Sequence, residues 1–453
     1  MNHYKWPERF RFVKNGASFT IDGYVWAKGS LRRFSHDPRG MGVSKPVSEA
    51  IYGIQRIRPD CDWQRPGRAK GRDLCREDAQ ESGHYRSKIG HWRRLCPHRH
   101  DSKQDAAEAV LYLSGFRQRT FYGRGYVLKD RIAMSDLIFR AQAVMAREIE
   151  VIKAQLRRNY VTTLEGDAAF IDDHTIEIKS EDGSQLVRGH HILIACGTRP
   201  AHDAGISIDG KRIFDSDQVH SLEELPRELI VVGAGIIGLE YASMFAAIGV
   251  KVTLLDQRPI LLDFADREIV ESLCFQLRQL GTVFRLGEKV VSVGFDEVRD
   301  RVFAKLESRK TVHGQGLLYT VGRQANSDRM NIQAAGLKSD GRGKLTTNEH
   351  FQTGVAHIYA AGDVIGFPAL ASTAMEQGRL ASCHMFGKPG KIPPNLIPYG
   401  IYTIPEISMV GSTEEQLTRD KVPYEAGVAR YAELAKGQML GDEQGLLKLL
   451  FDP

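Results

Sequence analysis

The chain has 453 residues, 42% of them hydrophobic and 26% charged, which is too long for one core and gives a prior of about three domains. No apolar run approaches the roughly 20 residues of a membrane span, and no signal peptide opens the chain. Six scattered cysteines (Cys61, Cys75, Cys96, Cys196, Cys274 and Cys383) make no disulfide framework and predict a cytoplasmic protein. The net charge of +6 is misleading as a sign of nucleic acid, because residues 1–107 carry 22 Lys and Arg against 12 Asp and Glu while the remainder carries 40 against 44.

Residues 1–107 also hold all four tryptophans, Trp6, Trp26, Trp63 and Trp92, and sustain neither helical nor strand periodicity. Reading Ile57 to Ala106 from the second base of each codon changes this picture. Trp63 followed by Gln64 then forces a glycine, and so does Trp92 before Arg93. Permitted wobble choices yield YDLIVIGSGPAGQRAAICAAK from Ile57 onward and IGGVCAHTGTIPSKTL from His91 to Ala106. One shift therefore gives a strand, a GxGxxG turn, a helix and a cysteine-bearing motif in order. The segment as written lacks that turn, since Arg65, Pro66, Gly67 and Arg68 stand in its place. It is read as a misframed nucleotide-binding start, so no nucleic-acid partner is expected. Cys96, His98 and His100 do not have a standard ligand spacing, and no metal is expected anywhere.

From Glu108 the pattern becomes regular. Glu108 to Gly115 reads as helix, and Met134 to Asn159 reads as a second one. The latter places Ile138, Ala141, Val144, Met145, Ile149 and Ile152 on one face, which predicts packing on a sheet. Short alternating strands follow between Tyr160 and Val187, with Asp182 and Gly183 as a hairpin turn. The run HILIACGTRP, residues 191–200, is a strand ending at Ala195, Cys196 and Gly197.

The strongest signal lies between Leu229 and Arg258. A buried strand, Leu229 to Val232, runs into Gly233, Ala234, Gly235, Ile236 and Gly238, at GxGxxG spacing, and then into a helix. The first glycine permits the turn, the second admits a pyrophosphate to the backbone, and the third lets helix pack on strand, with the phosphates at the helix N-terminus. A second strand, Val250 to Leu255, ends at Asp256, where a carboxylate can accept from a ribose 2′-OH. Arg258 could meet a 2′-phosphate. Leu273 to Leu280 then reads as helix, Val283 to Val293 as one strand, and Gly316 to Arg323 as the closing strand and turn through Gly322.

After this unit, His357 to Ala361 reads as a strand delivering Gly362 and Asp363. Tyr399 to Leu417 opens a final section, and Leu446 to Phe451 reads as an apolar strand without downstream partners.

The shifted strings, the Ala195-Cys196-Gly197 turn, TGVAHIYAAGD at 353–363 and YGIYTIPEIS from Tyr399 together resemble the two-dinucleotide flavoprotein reductases, the glutathione reductase and lipoamide dehydrogenase family. The resemblance covers residues 108–453 directly and 57–106 in the shifted frame. It implies an α/β fold with two Rossmann-like domains, for FAD and NAD(P), and an α+β interface domain. The implied order is an aberrant segment 1–107, FAD-binding parts at 108–224 and 323–395, an NAD(P) domain at 225–322 and an interface domain at 396–453. Ala195, Gly197, Gly362 and Asp363 would then hold FAD, with Asp363 accepting from a ribitol hydroxyl. Ile236 would lid the nicotinamide pocket, and Glu240 would be catalytic, pairing with the lysine of TIPSK beside the flavin. Members continue past the point where this sequence stops, through a segment that supplies most of the dimer interface. The family homodimer is accordingly expected to be compromised.

Three details distinguish branches of the family. The shifted reading gives Cys-x4-Thr in place of Cys-x4-Cys, which excludes dithiol chemistry. Residues 362–374, GDVIGFPALASTA, and the run IYTIPEIS are similar to the pyridine nucleotide transhydrogenase branch. The resemblance then implies hydride transfer from NADPH to the flavin and on to NAD+ at one site, with NAD(H) and NADP(H) as substrates. A lipoamide dehydrogenase or related disulfide reductase, or an inactive product of a disrupted gene, is the alternative.

Overall fold

A computed structural model describes residues 99–453, except 124–125, 127, 130–131, 204–205, 391–397 and 442–443, together with three short strands nearer the N-terminus. The chain divides into two compact units, residues 1–49 and 50–453. In the first, β1 (Phe19–Ile21), β2 (Tyr24–Ala27) and β3 (Ser30–Arg33) form an antiparallel meander. Strands this short carry too few alternations for a periodicity to register in the sequence. The misframed turn expected after Ile57 lies outside the described residues.

Among the described residues, the second unit begins with α1 (Arg99–Leu113) and α2 (Met134–Arg158). Asp136 accepts from the Ala133 amide at 2.8 Å and so caps α2, where a carboxylate also suits the helix dipole. Met134, Leu137 and Ala141 are its buried residues. The predicted apolar face is correct, but it packs against α1 and the nucleotide helix described below, not on a sheet, and its later positions stay half-buried. Strands β4 (Asp167–Phe170), β5 (Thr175–Ser180) and β6 (Gly183–Arg188) form an antiparallel sheet with a turn at 181–182. Next come β7 (Ile192–Ile194), β8 (Thr198–Pro200) and β9 (Ile213–Asp215).

The central layer contains β10 (Glu228–Val232), α3 (Ile236–Ala247), β11 (Lys251–Asp256), α4 (Arg267–Gln279) and β12 (Val283–Leu286). It continues through β13 (Val290–Asp296), β14 (Arg301–Leu306), β15 (Thr311–Gly314) and β16 (Gly316–Tyr319). The parallel sheet runs β12-β11-β10-β16-β9. Alternation along β10 sorts its two faces. Leu229 and Val231 enter the helical core with α3 and α4, while Ile230 and Val232 meet Val302, Ala304 and Leu306 of the antiparallel β13-β14-β15 layer. Helix α3 is apolar because it is covered on every side, with Gly238 to Ala247 all buried.

Two expectations change here. The single strand read over Val283 to Val293 is two strands in two different sheets, broken at Gly287, whose φ is +70°. The parallel sheet also recruits β9, which precedes the boundary expected at residue 225.

Strand β17 (Arg323–Ala325) pairs with β8, and β18 (Ile358–Ala360) runs parallel to β7, so the chain returns after the nucleotide layer to the segment it had left. Helix α5 (Ala371–Met385) follows. The final section contains β19 (Tyr399–Ile401), β20 (Ile407–Met409), α6 (Glu414–Arg419), β21 (Glu425–Arg430) and β22 (Leu446–Phe451). Strand β22, expected without downstream partners, pairs antiparallel with the upstream β21 along its whole length. Leu447, Leu449 and Phe451 remain about half exposed on one face. On the other, the nearly buried Lys448 ion-pairs with Asp266 at 3.1 Å, Glu268 at 3.3 Å and Glu414, fastening the section to the start of α4.

Candidate functional site

The nucleotide loop is shaped by what cannot fit into it. A Cβ on Gly233 would lie 2.6 Å from the Thr320 carbonyl oxygen, and one on Gly238 would lie 1.9 Å from the Gly233 carbonyl oxygen. Helix and strand therefore touch backbone to backbone. A Cβ on Gly235 would meet nothing within 4 Å, and Gly235 is the N-cap of α3 without any side-chain cap. The first amides of a buried helix thus face open space, which is the arrangement that receives a phosphate. The Thr320 hydroxyl donates within reach of the Val232 and Gly233 carbonyls, at 2.9 and 2.8 Å, and holds the turn from below.

At the end of β11, Asp256 is 6% exposed and both of its oxygens are engaged. Oδ2 accepts from the Ala234 amide at 2.6 Å and from Nη2 of Arg258 at 2.8 Å. Oδ1 accepts from the amide and Nε of Arg258, at 2.8 and 3.0 Å. A carboxylate offers about four acceptor positions, so this one is saturated. A ribose hydroxyl would therefore reach Asp256 only in exchange for one of these donors. Burial opposes its ionisation, but the Arg258 guanidinium and the two amides outweigh burial and hold the carboxyl below its ordinary range. The same hydrogen bond raises the Arg258 pKa against the cost of burial. The Arg258 side chain is 45% exposed, so its outer face is available to a ligand.

The second group of residues lies where β7 and β18 run side by side. The Ala361 amide donates to the Ile194 carbonyl at 3.0 Å, which brings the 195–197 turn and the 362–363 turn together. Gly362 has φ +77°, and its amide donates to Oε1 of Gln377 on α5 at 2.7 Å. Asp363 accepts from the Thr198 hydroxyl at 3.0 Å and faces Nε of Arg323 at 4.0 Å. Burial lowers the Arg323 pKa, opposed by the carboxylates of Asp363 and Asp215. Ala195 is exposed, Gly197 has φ +64°, and Cys196 is held by neighbours, with the Asn326 amide group donating to its carbonyl at 2.9 Å. Burial pushes the Cys196 thiol up to about 12, a packing thiol and not a nucleophile.

Glu240 is completely buried on α3 and accepts from the Tyr402 amide at 3.2 Å. Beside it the Ser243 hydroxyl accepts from the Ile404 amide at 2.9 Å. The nucleotide helix is thereby joined to the final section. Burial first, and then the Glu240 and Asp363 carboxylates, push the Tyr399 hydroxyl up to about 12. Ile236, the first residue of α3, packs partly against the helical core. Gly322 has φ +92°, and a Cβ there would lie 2.1 Å from Nη1 of Arg342.

Sequence reasoning singled out none of Thr198, Arg323, Gln377 and Tyr399 as site residues, since three of them lie in quoted runs without a role and all are brought together only by the return of the chain to β7. It also missed Asp173, His174 and His357, the one cluster with metal-ligand potential among the described residues.

A dinucleotide-binding layer set into a second α/β layer, with a third section clasping both, defines a protein that binds two nucleotide cofactors. The chain belongs to the pyridine nucleotide-disulphide oxidoreductase family. Its model matches residues 102–378, and the family's dimerisation domain matches residues 397–453. A soluble pyridine nucleotide transhydrogenase of Mycobacterium tuberculosis is 50% identical over 345 residues, 76% of this chain and 73% of that protein. One from Colwellia psychrerythraea is 43% identical over 346 residues, 76% of this chain and 74% of its own length. Among solved structures, LpdA of Mycobacterium tuberculosis superposes with a TM-score of 0.70 at 25% identity, over 77% of each chain. FAD and NAD(P) are the cofactors of this α/β oxidoreductase. Among the described residues no helix is long and apolar enough to cross a membrane.

Proposed function

We propose that the chain is a flavin-dependent transhydrogenase that moves hydride between NADPH and NAD+, and that it works in the cytoplasm. The observation that carries this reading is the Asp256–Arg258 pair at the end of β11, considered with relatives that bear the transhydrogenase name. A donor that is a 2′-phosphate nucleotide and an acceptor with a free 2′-hydroxyl must use one pocket in turn. Arg258 can turn its half-exposed guanidinium to a phosphate, and doing so releases an Asp256 oxygen. With a 2′-hydroxyl present, Asp256 accepts from it in exchange for one guanidinium N–H. The same two side chains thus serve both ligands without favouring one by several kcal/mol.

The residues present suit both cofactors. Gly235 leaves the space a pyrophosphate needs, while Gly233 and Gly238 leave none for side chains. Asp363, with Thr198 and Arg323, is the anchor for FAD in the described part of its layer, and the glycine turn expected from the shifted frame lies outside the described residues. When bound, FAD supplies a two-electron carrier that accepts hydride from one nicotinamide and returns it to another. Glu240 and Ser243 hold the 402–404 loop against α3 and so fix the wall between the nucleotide helix and the final section. The cytoplasmic assignment is supported by Cys196, Cys274 and Cys383, all unpaired.

The test is reduction of the thionicotinamide analogue of NAD+ by NADPH, with lipoamide as a parallel acceptor. Transfer to the analogue without lipoamide reduction is expected. Lipoamide reduction alone would replace this reading with that of a dithiol reductase.

A further inference from the structure

We propose that Asp173, His174 and His357 form a binding site for a divalent transition metal of the zinc class, independent of the hydride-transfer site. Sequence distance hides the cluster, since His174 sits in the turn between β4 and β5 and His357 immediately precedes β18. One nitrogen of each ring and a carboxylate oxygen of Asp173 lie within 4.8 Å of one another. Each ring has one nitrogen engaged by a backbone carbonyl. His174 Nδ1 lies 2.8 Å from the Gly189 carbonyl oxygen, and His357 Nε2 lies 2.8 Å from the Asp173 carbonyl oxygen.

A carbonyl can only accept, so each of those nitrogens carries its proton. This fixes both histidines in the tautomer that leaves the other nitrogen as a lone-pair donor: Nε2 of His174 and Nδ1 of His357. A histidine whose second nitrogen donates to a backbone carbonyl is the usual supporting arrangement of a metal ligand. The turn itself is rigid, because Asp172 Oδ1 accepts from the amides of His174 and Thr175 at 2.8 and 2.7 Å.

The rings stack 3.8 Å apart with planes 6° from parallel. An ion must lie near the plane of both rings, so binding turns the two rings toward each other about χ2, a soft torsion for histidine. Zinc bonds of about 2.0–2.1 Å to nitrogen and oxygen place tetrahedral ligands about 3.3 Å apart, so donor atoms that lie within 4.8 Å of one another close up as the rings unstack. Two imidazoles, one carboxylate and a water make a complete tetrahedral set of borderline hardness, suited to zinc and not to calcium or magnesium. The bound ion would tie β5 of the antiparallel sheet to the strand that delivers Asp363.

The full chain, stripped with a chelator and dialysed, is titrated with zinc sulfate by calorimetry, and its melting temperature is followed with and without zinc. One equivalent is expected to bind and raise the melting temperature. His174→Gln and His357→Gln should each weaken this binding by at least about tenfold. Both residues are half-buried at the surface, and far-UV circular dichroism verifies folding. His350→Gln is the control, because His350 stacks on His384 in a second pair, 4.2 Å apart, whose His384 Nδ1 is taken by the Tyr359 hydroxyl. It should leave zinc binding unchanged. Absence of binding by the stripped chain, binding unaltered in both folded variants, or binding lost only in His350→Gln would each overturn the proposal.

Discussion

Gly235 and Gly238 lie three positions apart at the start of α3, yet alanine should act on them through different physics. At Gly238 the added methyl would stand 1.9 Å from the Gly233 carbonyl oxygen and 2.8 Å from the Thr320 hydroxyl. Ordinary carbon–oxygen contact begins near 3.4 Å, so α3 must move by more than about 1 Å from a strand in a close-packed core. Overpacking of this kind costs about 1–3 kcal/mol, and the upper end applies because the obstructing atom is backbone. At Gly235 the methyl meets nothing within 4 Å and φ is −72°, which alanine adopts freely. That substitution should leave stability unchanged or raise it by about 0.4–1 kcal/mol through the unfolded chain. The methyl would occupy the space intended for the pyrophosphate, so NADH and NADPH affinity should fall by at least about tenfold. Urea unfolding and nucleotide titration on the two variants separate these effects. A Gly235→Ala variant that lost stability, or kept full nucleotide affinity, would refute the assignment of that open space to phosphate.

Asp256→Ala should weaken NAD+ binding by about 1.5–3 kcal/mol while affecting NADP+ less, because Arg258 remains to meet the phosphate. Titrating both nucleotides against Asp256→Ala and Arg258→Ala checks this, and equal losses throughout would show that neither side chain reads the 2′ position. The Asp256 carboxyl is held below its ordinary 3.8. Its share of stability is therefore fully present above that value and is lost as pH falls through the lower folded value. The stability gap between the parent chain and Asp256→Asn should be about 1–2 kcal/mol at pH 7, discounted for the exposed Arg258, and should shrink below about pH 4. Cys196, with its thiol raised to about 12, should resist iodoacetamide at pH 8 in the folded chain and react once urea unfolds it; rapid labelling of the native chain would contradict its burial. Leu449→Lys on the exposed face of β22 should reduce self-association in light scattering without lowering the melting temperature, and a large loss of stability would place that face in the core.

The nucleotide unit was legible in the sequence because every one of its requirements is local. The strand, the three glycines, the helix and the acid at the end of the second strand lie between Leu229 and Arg258, and each is found where the spacing placed it. Helix α2 was legible for the same reason, since its apolar face repeats at helical period regardless of what covers it. What covers it could not be read, and α1 with α3 took the place of the expected sheet. The break at Gly287 was hidden because β12 and β13 are both apolar enough to read as one strand, and only their assignment to opposite layers separates them. Saturation of Asp256 was equally invisible: a carboxylate two residues before an arginine can point anywhere, and the turn of the backbone after β11 closes the pair. Contacts between distant segments were decided by tertiary structure alone. Thr198 meets Asp363, Glu240 meets Tyr402, and His174 stacks on His357 because the chain leaves one layer, builds another and returns, and no local periodicity records where it comes back.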